Sequence, residues 1–108
     1  MCLGLDPDPA TLPADRAAGD SGEGAADAAA EAVVADCASL IERAGPACVA
    51  VKPQLACFER LGAPGWRALV EVCAAAREAG LLVVADGKRG DVPTTARAYG
   101  QALVGETE

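Results

Sequence analysis

Within the stretch LVVADGKRGDVPTT, residues 82–95, four charged side chains fall inside six positions: Asp86, Lys88, Arg89 and Asp91. Their types and spacing admit two readings, an ordinary solvated turn and a site that does chemistry. Asp86 and Lys88 stand two residues apart, so on extended backbone their side chains point the same way. Opposite charges set side by side hold each other ionised, which gives a fixed ammonium and a fixed carboxylate. Groups in that state do electrostatic and acid–base work. Gly87 and Gly90 let the backbone turn tightly around them. Asp91, just ahead of Pro93, is also placed to cap the following helix, a purely structural use.

The elements that must carry these groups follow from the apolar runs. Residues 2–6 (CLGLD), 47–52 (ACVAVK) and 81–86 (LLVVAD) are each too short for a helix, carry β-favouring residues and end in a charge. They read as buried strands ending on Asp6, Lys52 and Asp86. Between them, residues 24–44 are Ala-rich and read as a helix, with Arg43 in its last turn and Gly45-Pro46 as its stop. Residues 65–79 place Trp66, Leu69, Val70, Cys73 and Ala76 at helical spacing between Pro64 and Gly80. A third helix begins near Pro93 and runs through Ala96, Tyr99 and Leu103. The stretch PQLACFERLG (53–62) has room for one or two short turns, and residues 7–23, rich in Pro, Asp and Gly, read as a loop.

Strand and helix thus alternate three times, which implies parallel strands joined by right-handed crossovers. In such folds functional groups gather beyond the carboxyl ends of the strands. The expected fold class is therefore α/β, with Asp6, Lys52 and Asp86 on one rim.

Composition narrows the function classes. The 108 residues are 52% apolar and 23% charged, a globular balance sized for one small domain or part of a larger one. Aromatics are 3%, so Ala, Val and Leu must build the core. A net charge of −7 repels polyanions, and no basic stripe is present, which argues against nucleic acid as a partner. No apolar stretch approaches membrane-spanning length and no signal-like segment opens the chain, so the expected location is cytoplasmic. The five cysteines form no C-x-x-C pair and there is no His, which removes the usual mixed zinc sites. Reduced, structural thiols are expected, and no metal.

At the charged cluster the sequence resembles the orotidine 5′-phosphate decarboxylase family. DGKRGDV (86–92) fits that family's D-x-K-x-x-D-[IV] pattern, and Thr95 falls on its threonine four residues past the second Asp. VKPQLACFERLG (51–62) resembles the V-K-P-Q-x-x-F-F-E-x-x-G signature of a subgroup common in bacteria, and LGLDPDP (3–9) resembles its opening G-[IL]-D-P. The three motifs occur in order and touch all three strand ends. Cys57 departs from the pattern, standing where the subgroup has a Phe, and Gly87 fills a small variable position.

The resemblance implies an eight-stranded (β/α) barrel, a fold of about 250 residues. This chain would be the first three β/α units of one such barrel domain, incomplete at the carboxyl end and at the amino end. It implies decarboxylation of orotidine 5′-phosphate to UMP and CO2, a step of pyrimidine biosynthesis, with no cofactor to absorb the charge left at C6 of the pyrimidine. Lys88 would stabilise that charge and donate the replacing proton, Asp86 would lie against the departing carboxylate, and Lys52 would hold Lys88 in place. The Lys-Asp-Lys-Asp alternation would keep these groups charged despite burial. Asp6 would bind a ribose hydroxyl, or else cap the loop at its strand end. Asp91 and Thr95 would reach into the partner's site of a homodimer, Asp91 toward the ribose. Arg89, Gln54 and Glu59 receive no chemical role; Arg89 is expected to face solvent or a neighbouring acid.

Rival readings exist. Arg89-Gly90-Asp91 is also an adhesion tripeptide, but three residues match by chance often and no extracellular feature accompanies them. A sugar-phosphate decarboxylase or synthase sharing D-x-K-x-x-D is the enzymatic alternative, and Lys52 in its VKPQ setting argues against it. The stronger rival is a truncated product without activity of its own. The edge of three open strands would then lie exposed, an aggregation hazard.

Overall fold

The structure, a computed structural model, describes residues 1–12 and 24–105. Three parallel strands lie side by side in chain order: β1 (Cys2–Leu5), β2 (Ala50–Pro53) and β3 (Leu82–Val83). Helix α1 (Ala25–Ala44) connects β1 to β2. Helices α2 (Leu55–Glu59) and α3 (Gly62–Glu78) connect β2 to β3, and α4 (Pro93–Val104) follows β3. The alternation read from the sequence is the one observed. Most of the loop expected over 7–23 lies outside the described residues; its start holds a short turn at Pro9–Thr11.

Period-2 alternation divides the sheet into two faces. Leu5 and Val51 are fully buried and pack with Val33, Cys37 and Ile41 of α1, Leu55 and Phe58 of α2, and Leu69 and Val72 of α3. This is the core, built from aliphatics around a single Phe. Burying Phe58 alone stabilises the fold by about 1.5–3 kcal/mol. Helix α1 ends as expected: the Gly45 N–H bonds Ile41 O, and Gly45–Ala47 tightens into a turn that leads to β2. That turn uses up the first residue of the ACVAVK run, and β2 begins only at Ala50.

The sequence left the buried face of α3 open, and it read all three strands as buried. On α3 the buried residues are Gly65, Ala68, Leu69, Val72 and Ala76, whereas Trp66 is 42% and Val70 68% exposed. The reason is close approach. A Cβ on Gly65 would lie 1.9 Å from the Phe58 carbonyl oxygen, so the small-residue stripe is the side that meets its neighbours. Trp66, Val70 and Cys73 instead line an open groove of about 400 Å³, shared with Val83 of β3 and Leu103 of α4. The two outer strands are not buried as expected. Cys2 and Gly4 of β1 are exposed, and Leu82 is 70% and the adjoining Val84 50% exposed, because both are edge strands and one face of the sheet is uncovered.

All five cysteines are unpaired thiols. Cys37 is fully buried, and burial pushes its thiol up to about 12, with the Asp36 charge adding to the effect. Cys2 is exposed, an exception to the structural reading.

Candidate active site

The hydrogen-bonded ladder outruns the short strand β3. Val84 N–H donates to Val51 O at 2.9 Å and Asp86 N–H to Pro53 O at 3.0 Å, while Leu55 N–H donates back to Asp86 O at 3.1 Å. Gln54 and Asp86 form a further parallel bridge. Gln54 N–H in turn donates to Leu5 O at 3.0 Å. Backbone pairing therefore fixes the ends of all three strands on one rim. Lys52 and Asp86 share a face because register and alternation leave them no other arrangement.

Asp86 is the centre of the site. Lys88 Nζ donates to its Oδ1 at 2.7 Å. Lys52 Nζ at 3.1 Å and Gln54 Nε2 at 3.0 Å both donate to Oδ2. Both carboxylate oxygens are thus engaged. The Lys88 hydrogen bond, then that of Lys52, holds the Asp86 carboxyl below its ordinary value. The Asp86 hydrogen bond raises the Lys52 ammonium above its ordinary value against the opposing effect of burial, and the charges of Asp86 and Asp6 add to the rise. The site is a lysine–aspartate–lysine array in which Asp86 is held ionised and Lys52 held protonated.

The array is not buried in this chain. The Lys88 side chain is 79% exposed, against 37% for Lys52 and 23% for Asp86. The face carrying it is the uncovered one that also exposes Leu82 and Val84, so water reaches the lysines directly.

Asp6 lies on the same rim, near enough for its charge to act on Lys52, and its Oδ2 would be 3.2 Å from a Cβ on Gly4. Asp91 is not brought to Asp86. Its Oδ1 accepts the N–H of the adjacent Val92 at 2.8 Å, and among the described residues no ion pair reaches it. Nor does it cap α4. Val92 is the N-cap and no side chain caps that end, because a bond to the next residue's N–H leaves the first-turn donors of the helix untouched. Thr95 is half-buried in the first turn of α4.

Two contacts, those of Gln54 and Arg60, went unassigned in the sequence, and Arg89 meets a neighbouring acid, one of its two expected settings. Gln54 donates to Asp86; the VKPQ spacing, which puts Gln54 two residues past Lys52 and on its face, is the signal that could have shown it. Arg89 pairs with Glu59 of α2 and lies 5.3 Å from the centre of the Tyr99 ring of α4. Arg60 reaches back to the loop after β1, donating to Pro7 O at 2.9 Å and Asp8 Oδ1 at 3.0 Å. Among the described residues no three His, Cys, Asp or Glu side chains converge as a ligand set for a metal, and no helix is long and apolar enough to cross a membrane.

An α/β sheet of consecutive parallel strands, with lysines and aspartates at their carboxyl ends, defines this fold as part of a (β/α) barrel. Comparison with known proteins agrees with this fold. The chain is 42% identical over 108 residues to the orotidine 5′-phosphate decarboxylase of Rhodopirellula baltica, covering 99% of this chain and 35% of that protein. It is 57% identical over 68 residues to that of Deinococcus radiodurans, 63% of this chain and 25% of that one. Its fold superposes on the OMP decarboxylase of Leishmania donovani with a TM-score of 0.69 at 40% identity, covering 94% of this chain and 33% of the other. Residues 1–105 match the orotidine 5′-phosphate decarboxylase / HUMPS family. The chain belongs to that family. It spans about a third of the length of these relatives, or less.

Proposed function

We propose that this chain supplies the first three β/α units of an orotidine 5′-phosphate decarboxylase barrel, and with them the charged rim that performs the reaction. The observation that carries the reading is the Asp86 carboxylate shared between Lys88 and Lys52 at the ends of β2 and β3. When the bond from C6 to the carboxylate breaks, CO2 leaves and the electron pair stays on C6. The Lys88 ammonium stabilises that charge and passes one Nζ proton to C6, giving UMP. Asp86 faces the departing carboxylate and, with Lys52, holds Lys88 in position until the transfer. No metal or organic cofactor takes part. Asp6 binds a ribose hydroxyl, and Asp91 and Thr95 serve the partner's site across a homodimer. That Asp91 pairs with neither lysine of the array among the described residues supports its assignment. The complete protein works in the cytoplasm, on a small nucleotide, with neither nucleic acid nor membrane as partner.

Alone, the 108 residues are inactive. The chain spans about a third of its relatives, and its catalytic lysine stands in open water, where fixed charge is worth far less than in a dry site. The test replaces the matching segment of the Rhodopirellula baltica relative with residues 1–108 and measures CO2 release from orotidine 5′-phosphate. Turnover is expected from the full-length protein, a fall of at least about 10²–10⁴-fold in Lys88→Ala, and none from the isolated chain. Lys88→Ala at undiminished rate would overturn the assignment, and turnover by the isolated chain, abolished by Lys88→Ala, would overturn its inactivity.

A further inference from the structure

Lys88 and Arg89 sit between two glycines, Gly87 and Gly90, and nothing lies within 4 Å of a Cβ placed on Gly90. A segment so flanked can swing as a flap unless something fixes it at both ends. The near end is fixed. Asp86 is locked into the ladder, and a Cβ at Gly87 would meet Leu55 Cδ2 of α2 at 2.8 Å, so the backbone lies directly on that helix. The far end holds at Arg89. Its guanidinium pairs with Glu59 at the last turn of α2 and lies over Tyr99 of α4, and the two charged side chains are only 26% and 28% exposed. Both ends of the pairs Arg60–Asp8 and Arg67–Asp27 are more exposed. Shielding of this kind makes an ion pair directional rather than a loose surface contact.

We propose that Arg89, gripped by Glu59 and backed by Tyr99, is a positioning residue: it anchors the loop beyond Lys88 so that the ammonium stays on Asp86 Oδ1. Lys88 has four rotatable side-chain bonds and Asp86 as its hydrogen-bonded partner, so its reach depends on where its Cα is held. Helix α2 then acts as a template, holding Asp86 through the N–H of Leu55 and Arg89 through the carboxylate of Glu59, with Lys88 suspended between the two. Arg89 touches no reacting atom in this scheme. The kinetic part of the proposal rests on the reading of Lys88 as proton donor, while the clamp itself is a statement about the loop.

The test uses the full-length protein carrying residues 1–108 in place of the matching segment of the Rhodopirellula baltica relative. It compares Glu59→Gln, Arg89→Gln and the exchanged pair Glu59→Arg/Arg89→Glu. Two quantities are read: hydrogen exchange across residues 86–92, and kcat and KM for orotidine 5′-phosphate. Each single variant is expected to speed exchange in the loop and to lower kcat about 10–100-fold at nearly constant KM, as a displaced acid would. The exchanged pair recovers most of both. Unchanged exchange in the single variants, or exchange that the swap fails to slow, overturns the clamp whether or not the protein turns over. Faster exchange with kcat unmoved overturns the positioning role. A wild-type protein that shows the exchange pattern yet never decarboxylates sinks the catalytic reading and the positioning role that rests on it, while the clamp stands.

Discussion

Gln54 and Asp86 are joined twice: their backbones form a parallel bridge beyond the named strands, and the Gln54 amide donates to Asp86 Oδ2 at 3.0 Å. A neutral donor therefore shares one carboxylate oxygen with a cation, Lys52, and leaves the other oxygen to Lys88. Oxygen by oxygen, the carboxylate's orientation is determined before any substrate arrives.

Replacing that donor by an acceptor tests the arrangement. Gln54→Glu sets a second carboxylate against Asp86 and is expected to raise the Asp86 carboxyl pKa. Lys88→Ala and Lys52→Ala raise it as well, Lys88→Ala more, since that hydrogen bond is the largest cause of the depression. Carboxyl-carbon NMR titration of each variant reads the shift directly; an Asp86 pKa indifferent to all three substitutions would refute the network.

The same groups set a pH window for folding. Asp86 is depressed below its ordinary 3.8, so its contribution is complete above that value and disappears as pH falls through the lower, folded value. Lys52 is raised above its ordinary 10.5, so its contribution is complete below that value and disappears as pH climbs through the higher, folded one. Urea midpoints measured from strongly acid to strongly alkaline pH should form a plateau between these limits. Lys52→Ala should flatten both shoulders.

Two glycines should respond in opposite directions to alanine. Gly65→Ala drives a methyl into the Phe58 carbonyl oxygen and is expected to destabilise the chain by about 1–3 kcal/mol or more. Gly100→Ala, within α4 with nothing near its Cβ, should stabilise by up to ~1 kcal/mol through helix propensity. Equilibrium unfolding of both variants checks the pair, and equal effects would mean that α3 does not lie against α2 as described.

Thiol labelling probes the core from outside. With burial holding the Cys37 thiol at about 12, alkylation near neutral pH should modify the exposed Cys2 first and reach Cys37 only after unfolding. Mass mapping of a time course decides; early modification of Cys37 would show that α1 does not cover the sheet.

Much of this was legible in the chain because strand ends and charges coincide. Short apolar runs closing on Asp6, Lys52 and Asp86 sufficed to place the rim, and Gly45-Pro46 and Pro93 marked the helix boundaries within a residue or so. The spacing named helix α3 but left its buried face open, and close packing there selects Gly65, Ala68 and Ala76 beside Leu69 and Val72. Burial of β1 and β3 was misread because a short apolar run looks alike whether a strand is central or at an edge. The partner of Arg89 depends on how α2 lies over the 86–89 loop. That angle is tertiary, and no spacing encodes it.

The unbroken order β1-β2-β3 also bears on how the protein is born. Each strand finds its partner already synthesised when it leaves the ribosome, so the sheet can grow vectorially without waiting for distant sequence. The charged array closes only with the arrival of residue 88, after both crossover segments between the strands have been made. Until Asp86 is made, Lys52 lacks its hydrogen-bonded partner across the ladder. A nascent chain stalled just short of that point would hold a formed scaffold and an unassembled reaction centre.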